Sequence, residues 1–182
     1  AQGETNRNYP DFKQLKMLDG AWTVHFDPQW GGPEMVEFPC LSDWTKNANE
    51  GIKYYSGAAT YQQTFNVSFP VQKGKSYFLQ LGNVKDVGIA RVKINGIDKG
   101  TVWTAPFRVD ISQELIYGRN TVEIKVINSW FNRIAGDELN PDKKRFTSTN
   151  IVLKNKFSNG SPQTIPLQSS GLLGPVTIVE GE

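Results

Sequence analysis

Period-two alternation in residues 88–138 constrains the fold more than any other feature of the chain. The stretch reads GIARVKINGIDKGTVWTAPFRVDISQELIYGRNTVEIKVINSWFNRIAGDE. Ala90, Val92 and Ile94 alternate with Arg91 and Lys93, the pattern of a strand with one buried and one wet face. Asn95-Gly96 follows, and both residues tolerate positive φ, so the pair signals a hairpin. Phe107, Val109 and Ile111 alternate again. After a turn at Gly118-Arg119-Asn120, so do Val122, Ile124 and Val126. Such a chain builds antiparallel sheets, and each sheet must bury its apolar face against a second layer.

The same rhythm recurs elsewhere. Trp22, Val24 and Phe26 alternate with Thr23, His25 and Asp27, and residues 29–33 (QWGGP) read as a turn. Ala59, Tyr61, Phe65 and Val67 share one face, with Gln63 a polar interruption. Tyr77, Leu79 and Leu81 form another strand, Ile151 and Leu153 resume the alternation, and residues 176–179 close the sheet. Helical periodicity is limited to a turn or two at residues 12–18 and 112–115. Residues 41–51 read as a polar loop, 131–148 as a long irregular but ordered segment, and 162–173 as a connection. The expected organisation is a linker at residues 1–10 and a single domain over 11–182. Its expected class is all-β, an antiparallel two-sheet jelly-roll β-sandwich. An aromatic content of 12% supplies the core.

Composition excludes several functions. The formal charge is +2 and the basic residues are dispersed, which argues against nucleic acid or a membrane surface as partner. Cys40 stands alone, so there is neither an internal disulfide nor a thiolate metal site. No apolar run approaches the roughly 18 residues that span a bilayer. The polar start, AQGETN, reads as the beginning of a mature chain or of an excised fragment. His25 is the sole histidine and no G-x-S-x-G elbow occurs. No spacing selects a pair of carboxylates to face each other across about 5–10 Å. No independent catalytic site is therefore expected.

Five tryptophans suggest stacking on the apolar face of a sugar ring. Trp22 lies on the inward rhythm of its strand and reads as core. Trp103 reads equally as core or rim. Trp30, Trp44 and Trp130 lie in loops, as plugs between loop and sheet or as stacking platforms. Beside Trp130, Asn132, Arg133, Asp137 and Glu138 offer amide, guanidinium and carboxylate groups. Arg133 and Asp137 could instead pair to brace the segment. Arg108 and Arg145 are further candidates, with a solvated face as the default. Asp137, Glu138, Asn140 and Asp142 could offer oxygens to calcium, but their spacing departs from the EF-hand loop, so no metal or other cofactor is expected.

Two sets of motifs carry a resemblance. VKINGIDKGTVWTAPFRVDI, with YYSGAATYQQTF upstream, resembles the sugar-binding jelly-roll domain of glycoside hydrolase family 2 and its relatives. NSWFNRIAGDE and SSGLLGPVTI resemble the C-terminal β-sandwich of large bacterial enzymes similar to family 106 α-L-rhamnosidases. The resemblance runs over residues 20–179. It implies a galactose-binding-like ancillary domain, because in those enzymes the catalytic carboxylates sit in a separate, barrel-like domain. The implied ligand is a plant or bacterial polysaccharide, held by Trp130, Asn132, Arg133, Asp137 and Glu138 with Trp44 and Trp103. The implied partner is the catalytic domain of a parent hydrolase, with the chain monomeric and periplasmic or extracellular. The alternative is a structural domain that supports that catalytic domain and binds no sugar alone. A small independent hydrolase is the third reading.

Overall fold

The structure is a computed structural model and describes residues 11–86, 88–153 and 165–181. The expected linker at 1–10 and residues 162–164 of the expected connection lie outside the described residues. In chain order the elements are β1 (Phe12–Met17), β2 (Trp22–His25), β3 (Val36–Phe38), α1 (Glu50–Lys53), β4 (Ala58–Val67), β5 (Ser76–Gln80) and β6 (Asn83–Lys85). They continue with β7 (Ile89–Ile94), β8 (Ile97–Val102), β9 (Arg108–Asp110), β10 (Gly118–Ile127), α2 (Phe131–Leu139), β11 (Gly171–Gly174) and β12 (Thr177–Gly181). One sheet has the order β1-β12-β5-β9, the other β3-β2-β4-β10-β7-β8, and β6 pairs with β11 in a small third ladder. The pairings are antiparallel throughout these ladders. This is the two-sheet antiparallel β-sandwich that the alternation predicts.

The long strands β4 and β10 form the spine of the larger sheet, paired from Gly118↔Val67 to Ile127↔Ala58 without a register shift. Their inward positions, Ala59, Tyr61, Phe65 and Val67 against Val122, Ile124 and Val126, are buried. Leu79, Ile178 and Val109 face them from the other sheet and join the same core. The Asn95-Gly96 hairpin has φ of 49° and 83°, the doubly positive turn that matches strand twist.

The core is aromatic at the β2 edge. The Phe26 ring packs edge-on against Tyr55 and Trp44, at centroid distances of 4.8 and 5.3 Å, and Trp22 packs on Tyr61. Aromatic side chains bury about 150–250 Å² each, which lets a chain modest in aliphatic residues fill two layers.

Three expectations are corrected. Residues 12–17 form a strand, not a helical turn. A bulge between Gln14 and Lys16 shifts the register against β12, so Phe12, Leu15 and Leu18 acquire a helix-like spacing while the backbone stays extended. Residues 131–139 form a helix rather than an irregular run. Its N-cap position is Trp130, which makes no capping bond, and Gly136 sits inside it, so neither the usual start signal nor good propensity marks it. Ile151 and Leu153 form no strand. Leu153 instead packs with Ile134, Ala135 and Ile165 in a small second core beneath α2.

Candidate functional site at the end of the sandwich

The site is built where β10 ends. Asn128 is buried there and replaces a strand partner: its Oδ1 accepts from Gly57 N at 2.8 Å and its Nδ2 donates to Tyr55 O at 2.9 Å. Ser129 donates through its amide and hydroxyl to Asp86. The chain, pinned at two successive residues, then presents Trp130 at the surface, with 44% of the residue exposed. Its ring meets Trp30 at a centroid distance of 4.8 Å and an interplanar angle of 79°. Trp30 ends a short 3-10 turn, Pro28–Trp30, whose cap Asp27 accepts from Gln29 N.

Beside this pair lies an open groove of about 420 Å³, lined by Trp30, His25, Asp27, Thr60 and Lys125 among others. His25, Thr60 and Lys125 occupy one cross-strand row, because β2 pairs His25 with Thr60 and β4 pairs Thr60 with Lys125. Tyr55 forms the floor, where its hydroxyl donates to Ala58 O and accepts from Asp27 N. Burial pushes the Tyr55 phenol up, so it stays a protonated donor. The groove thus combines the Trp30 indole, against which Trp130 packs from outside, with a carboxylate, a hydroxyl, an imidazole and an ammonium.

The structure separates the candidate residues predicted from sequence. Trp130 and Trp103 are exposed, and both lie near the same end of the larger sheet. Trp103 is 70% exposed, one residue past Val102, which pairs with Ala90 near the start of β7. Trp44 is fully buried. Its Nε1 donates to the Tyr61 hydroxyl and its ring stacks parallel to Tyr61. Burial pushes the Tyr61 phenol up as well. Asp43 caps the Trp44 turn; burial works to raise its carboxyl, but hydrogen bonds from Ser169, Thr45 and Ser170 outweigh it and hold the group below the usual range.

Asn132 is also fully buried, donating to Gln168 O at 2.7 Å and accepting from Gln168 N at 2.8 Å. Trp44 and Asn132 thus present no face at the surface of the domain. Arg133 and Asp137 lie inside α2's inner face, 3.3 Å apart as an i,i+4 pair. Asp137 Oδ2 accepts from Phe146 N, Thr147 N and Thr147 Oγ1. Glu138 is half-buried and accepts from Leu153 N. Arg108 stacks on Phe12 at 3.9 Å, and Arg145 is exposed, donating to Thr147 O. Asp137 and Glu138 serve separate segments, and among the described residues no cluster of acidic, His or Cys side chains could hold a metal ion.

Sequence reasoning missed His25, Asp27, Thr60 and Lys125 as groove residues. The signal was present: His25, Thr60 and Lys125 are outward members of alternating strands. Their common row depends on register, which alternation alone does not give.

No model of a protein family matches the chain. A protein of Formosa agariphila named "Putative beta-glucuronidase" is 39% identical over 179 residues, covering 89% of this chain. Among solved structures, a rhamnosidase from Novosphingobium sp. PP1Y superposes with a TM-score of 0.81 at 37% identity over 99% of this chain. A β-glucuronidase from Ruminococcus gnavus superposes at 22% identity with a TM-score of 0.51 over 70% of this chain, a likeness of fold. The chain spans 15% of the Formosa protein and 16% of the rhamnosidase chain. It is therefore similar to one sandwich-sized portion of glycoside hydrolases several times its length.

Proposed function

We propose that the chain is an ancillary, non-catalytic domain of an exported glycoside hydrolase, and that it contacts the carbohydrate through the Trp30–Trp130 end of the sandwich. The observation that carries this reading is the half-exposed Trp130 ring, set by Asn128 and Ser129 and packed against Trp30, which itself lines a groove with several polar groups. An indole face offers the C–H stacking surface, while Asp27, Thr60 and Lys125 meet hydroxyls. Such an open site gives weak binding, with dissociation constants from about millimolar to micromolar, or roughly −4 to −8 kcal/mol. The domain acts as a monomer, needs no calcium, and the polysaccharide is of plant or bacterial origin.

The test is Trp130→Ala, with glycan binding and unfolding measured on the same protein. Because the ring is nearly half exposed, stability should fall by only about 1–2 kcal/mol, below the 3–5 typical of buried aromatics. Binding to a rhamnose- or galactose-containing polysaccharide should be lost. An intact domain that binds nothing on a broad glycan array would discard this reading.

A second reading, docking onto the remainder of a hydrolase polypeptide, is favoured by the opposite end. There Ile97, Ile116 and Tyr117 are exposed beside the hairpin that Asn95 ties to Asn120. The ten-residue strand β10 separates the two ends by about 33 Å, so both contacts can coexist.

A further inference from the structure

Gly31 follows Trp30 and lines a second pocket, of about 160 Å³, that opens beside α2. Its central group is Arg133, which is 6% exposed. The guanidinium lies 4.7 Å from the Phe146 ring centroid and 5.9 Å from that of Tyr54. Flanking rings fix the guanidinium plane and leave its edge as a fork of N–H donors. Among the described residues the one carboxylate in ion contact with Arg133 is Asp137, through Nε. Neither Nε nor Asp137 Oδ1 completes a hydrogen bond. The other carboxylate oxygen is already engaged by Phe146 and Thr147. The guanidinium is thus buried between two rings, with its Nε edge toward Asp137, and the residue lines the pocket.

The walls support the same conclusion. Lys144 lines the pocket with its ammonium 4.9 Å from the Phe146 centroid, while Lys143 pairs with Glu50. Two glycines make room. A Cβ on Gly136 would lie 2.6 Å from Arg133 Nη2, and one on Gly31 2.7 Å from Phe146 Cζ. The lining carries three cations against two carboxylates. Its volume falls short of the roughly 300 Å³ at which whole-ligand pockets begin, so it suits a substituent rather than a ring.

We propose that this pocket binds an oxyanion substituent of a saccharide, a carboxylate or a sulfate ester, on the Arg133 edge with Lys144 as the second cation. The proposal rests on the saccharide reading above and adds the ligand class: an acidic glycan whose ring stacks at Trp130. The contact is a charge-assisted, two-pronged hydrogen bond of the kind guanidinium makes with planar anions.

The experiment titrates the 182-residue chain with tri-galacturonate, with its methyl ester, and with inorganic sulfate. Calorimetry gives affinities and NMR follows the Arg133 Nε–H resonance. The acid should bind about tenfold tighter than the ester, a difference of ~1.4 kcal/mol. Lys144→Glu, an exposed substitution, should erase that difference, whereas Trp130→Ala should weaken acid and ester alike. If acid and ester bind equally but sulfate moves the Arg133 resonance, the substituent is a sulfate ester. Equal binding of acid and ester with the Arg133 resonance unmoved by sulfate overturns the pocket and leaves the stacking reading standing. Failure of both saccharides to bind overturns the two together.

Discussion

Removing the Asp137 carboxylate should cost more than any surface change in the chain, and its magnitude follows from the contacts. Oδ2 accepts three hydrogen bonds, from Phe146 N at 3.0 Å and from Thr147 N and Oγ1 at 2.7 Å each. Oδ1 lies 3.3 Å from Arg133 Nε in a site where both side chains are almost fully buried. Hydrogen bonds to a charged acceptor contribute about 1.5–3 kcal/mol each, but those sharing one oxygen are far from additive. Deleting one partner of a buried pair costs about 3–5 kcal/mol, chiefly because the remaining charge stays buried and unpaired. Asp137→Ala should therefore lower unfolding free energy by ~3–5 kcal/mol, against the roughly 5–15 kcal/mol that domains possess. It should also release residues 140–148 to protease.

Arg133→Met should cost about half as much. Methionine fills the space between Tyr54 and Phe146, and Asp137 keeps three donors. Burial already lowers the Arg133 pKa despite Asp137 beside it, so the charged form gains little from this environment. Denaturant unfolding and limited proteolysis on both variants check the argument. Asp137→Ala with unchanged midpoint and unchanged cleavage would refute the bracing role, and a larger loss for Arg133→Met would refute the stated asymmetry.

Two further outcomes follow from local geometry. Gly171→Ala should destabilise by about 1–3 kcal/mol in thermal or chemical unfolding, because φ is +103° and the new Cβ would lie 2.6 Å from Trp44 Nε1. Asp98, bonded to Arg91 and to Gly100 N, has its carboxyl pushed down to about 2, so its contribution is complete above the ordinary carboxylate range and is lost as pH falls through about 2. An NMR titration should find that low midpoint, and Arg91→Gln should move it upward; an unmoved midpoint would assign the shift elsewhere.

The sandwich was legible because its strongest strands are half-wet. Ala90 to Ile94 and Val122 to Val126 each alternate cleanly, and the Asn95-Gly96 pair fixes the turn from β7 into β8. Two kinds of element were not legible. β1 carries a bulge that counterfeits a helical spacing. β6 and β11 are three and four residues long, too short to show a period. The candidate site was half legible. Trp130 could be picked out as a loop aromatic, but whether Trp44 plugs or projects depends on Tyr61, which is 17 residues away and accepts its Nε1 proton.

The asparagines around Trp130 are spent inside the fold for a physical reason that also explains the site. Loops joining two sheets must satisfy backbone groups where the ladders stop. Here side-chain amides do it. Asn128 closes on Tyr55 and Gly57, and Asn132 closes on both backbone groups of Gln168. At the far end Asn120 bonds Ile116 through N and O and also reaches Gly118. An amide carries a donor and an acceptor at the spacing of a strand residue, so a fully buried asparagine extends a ladder without extending a strand. In composition such residues are indistinguishable from ligand-binding ones. Their use inside the fold leaves recognition to side chains that backbone satisfaction does not require. These include the outward row His25, Thr60 and Lys125, and the indoles that the amide clamps hold at the rim. Substituting Thr60 or Lys125 should then change ligand preference without changing stability, whereas substituting Asn128 or Asn132 should do the reverse.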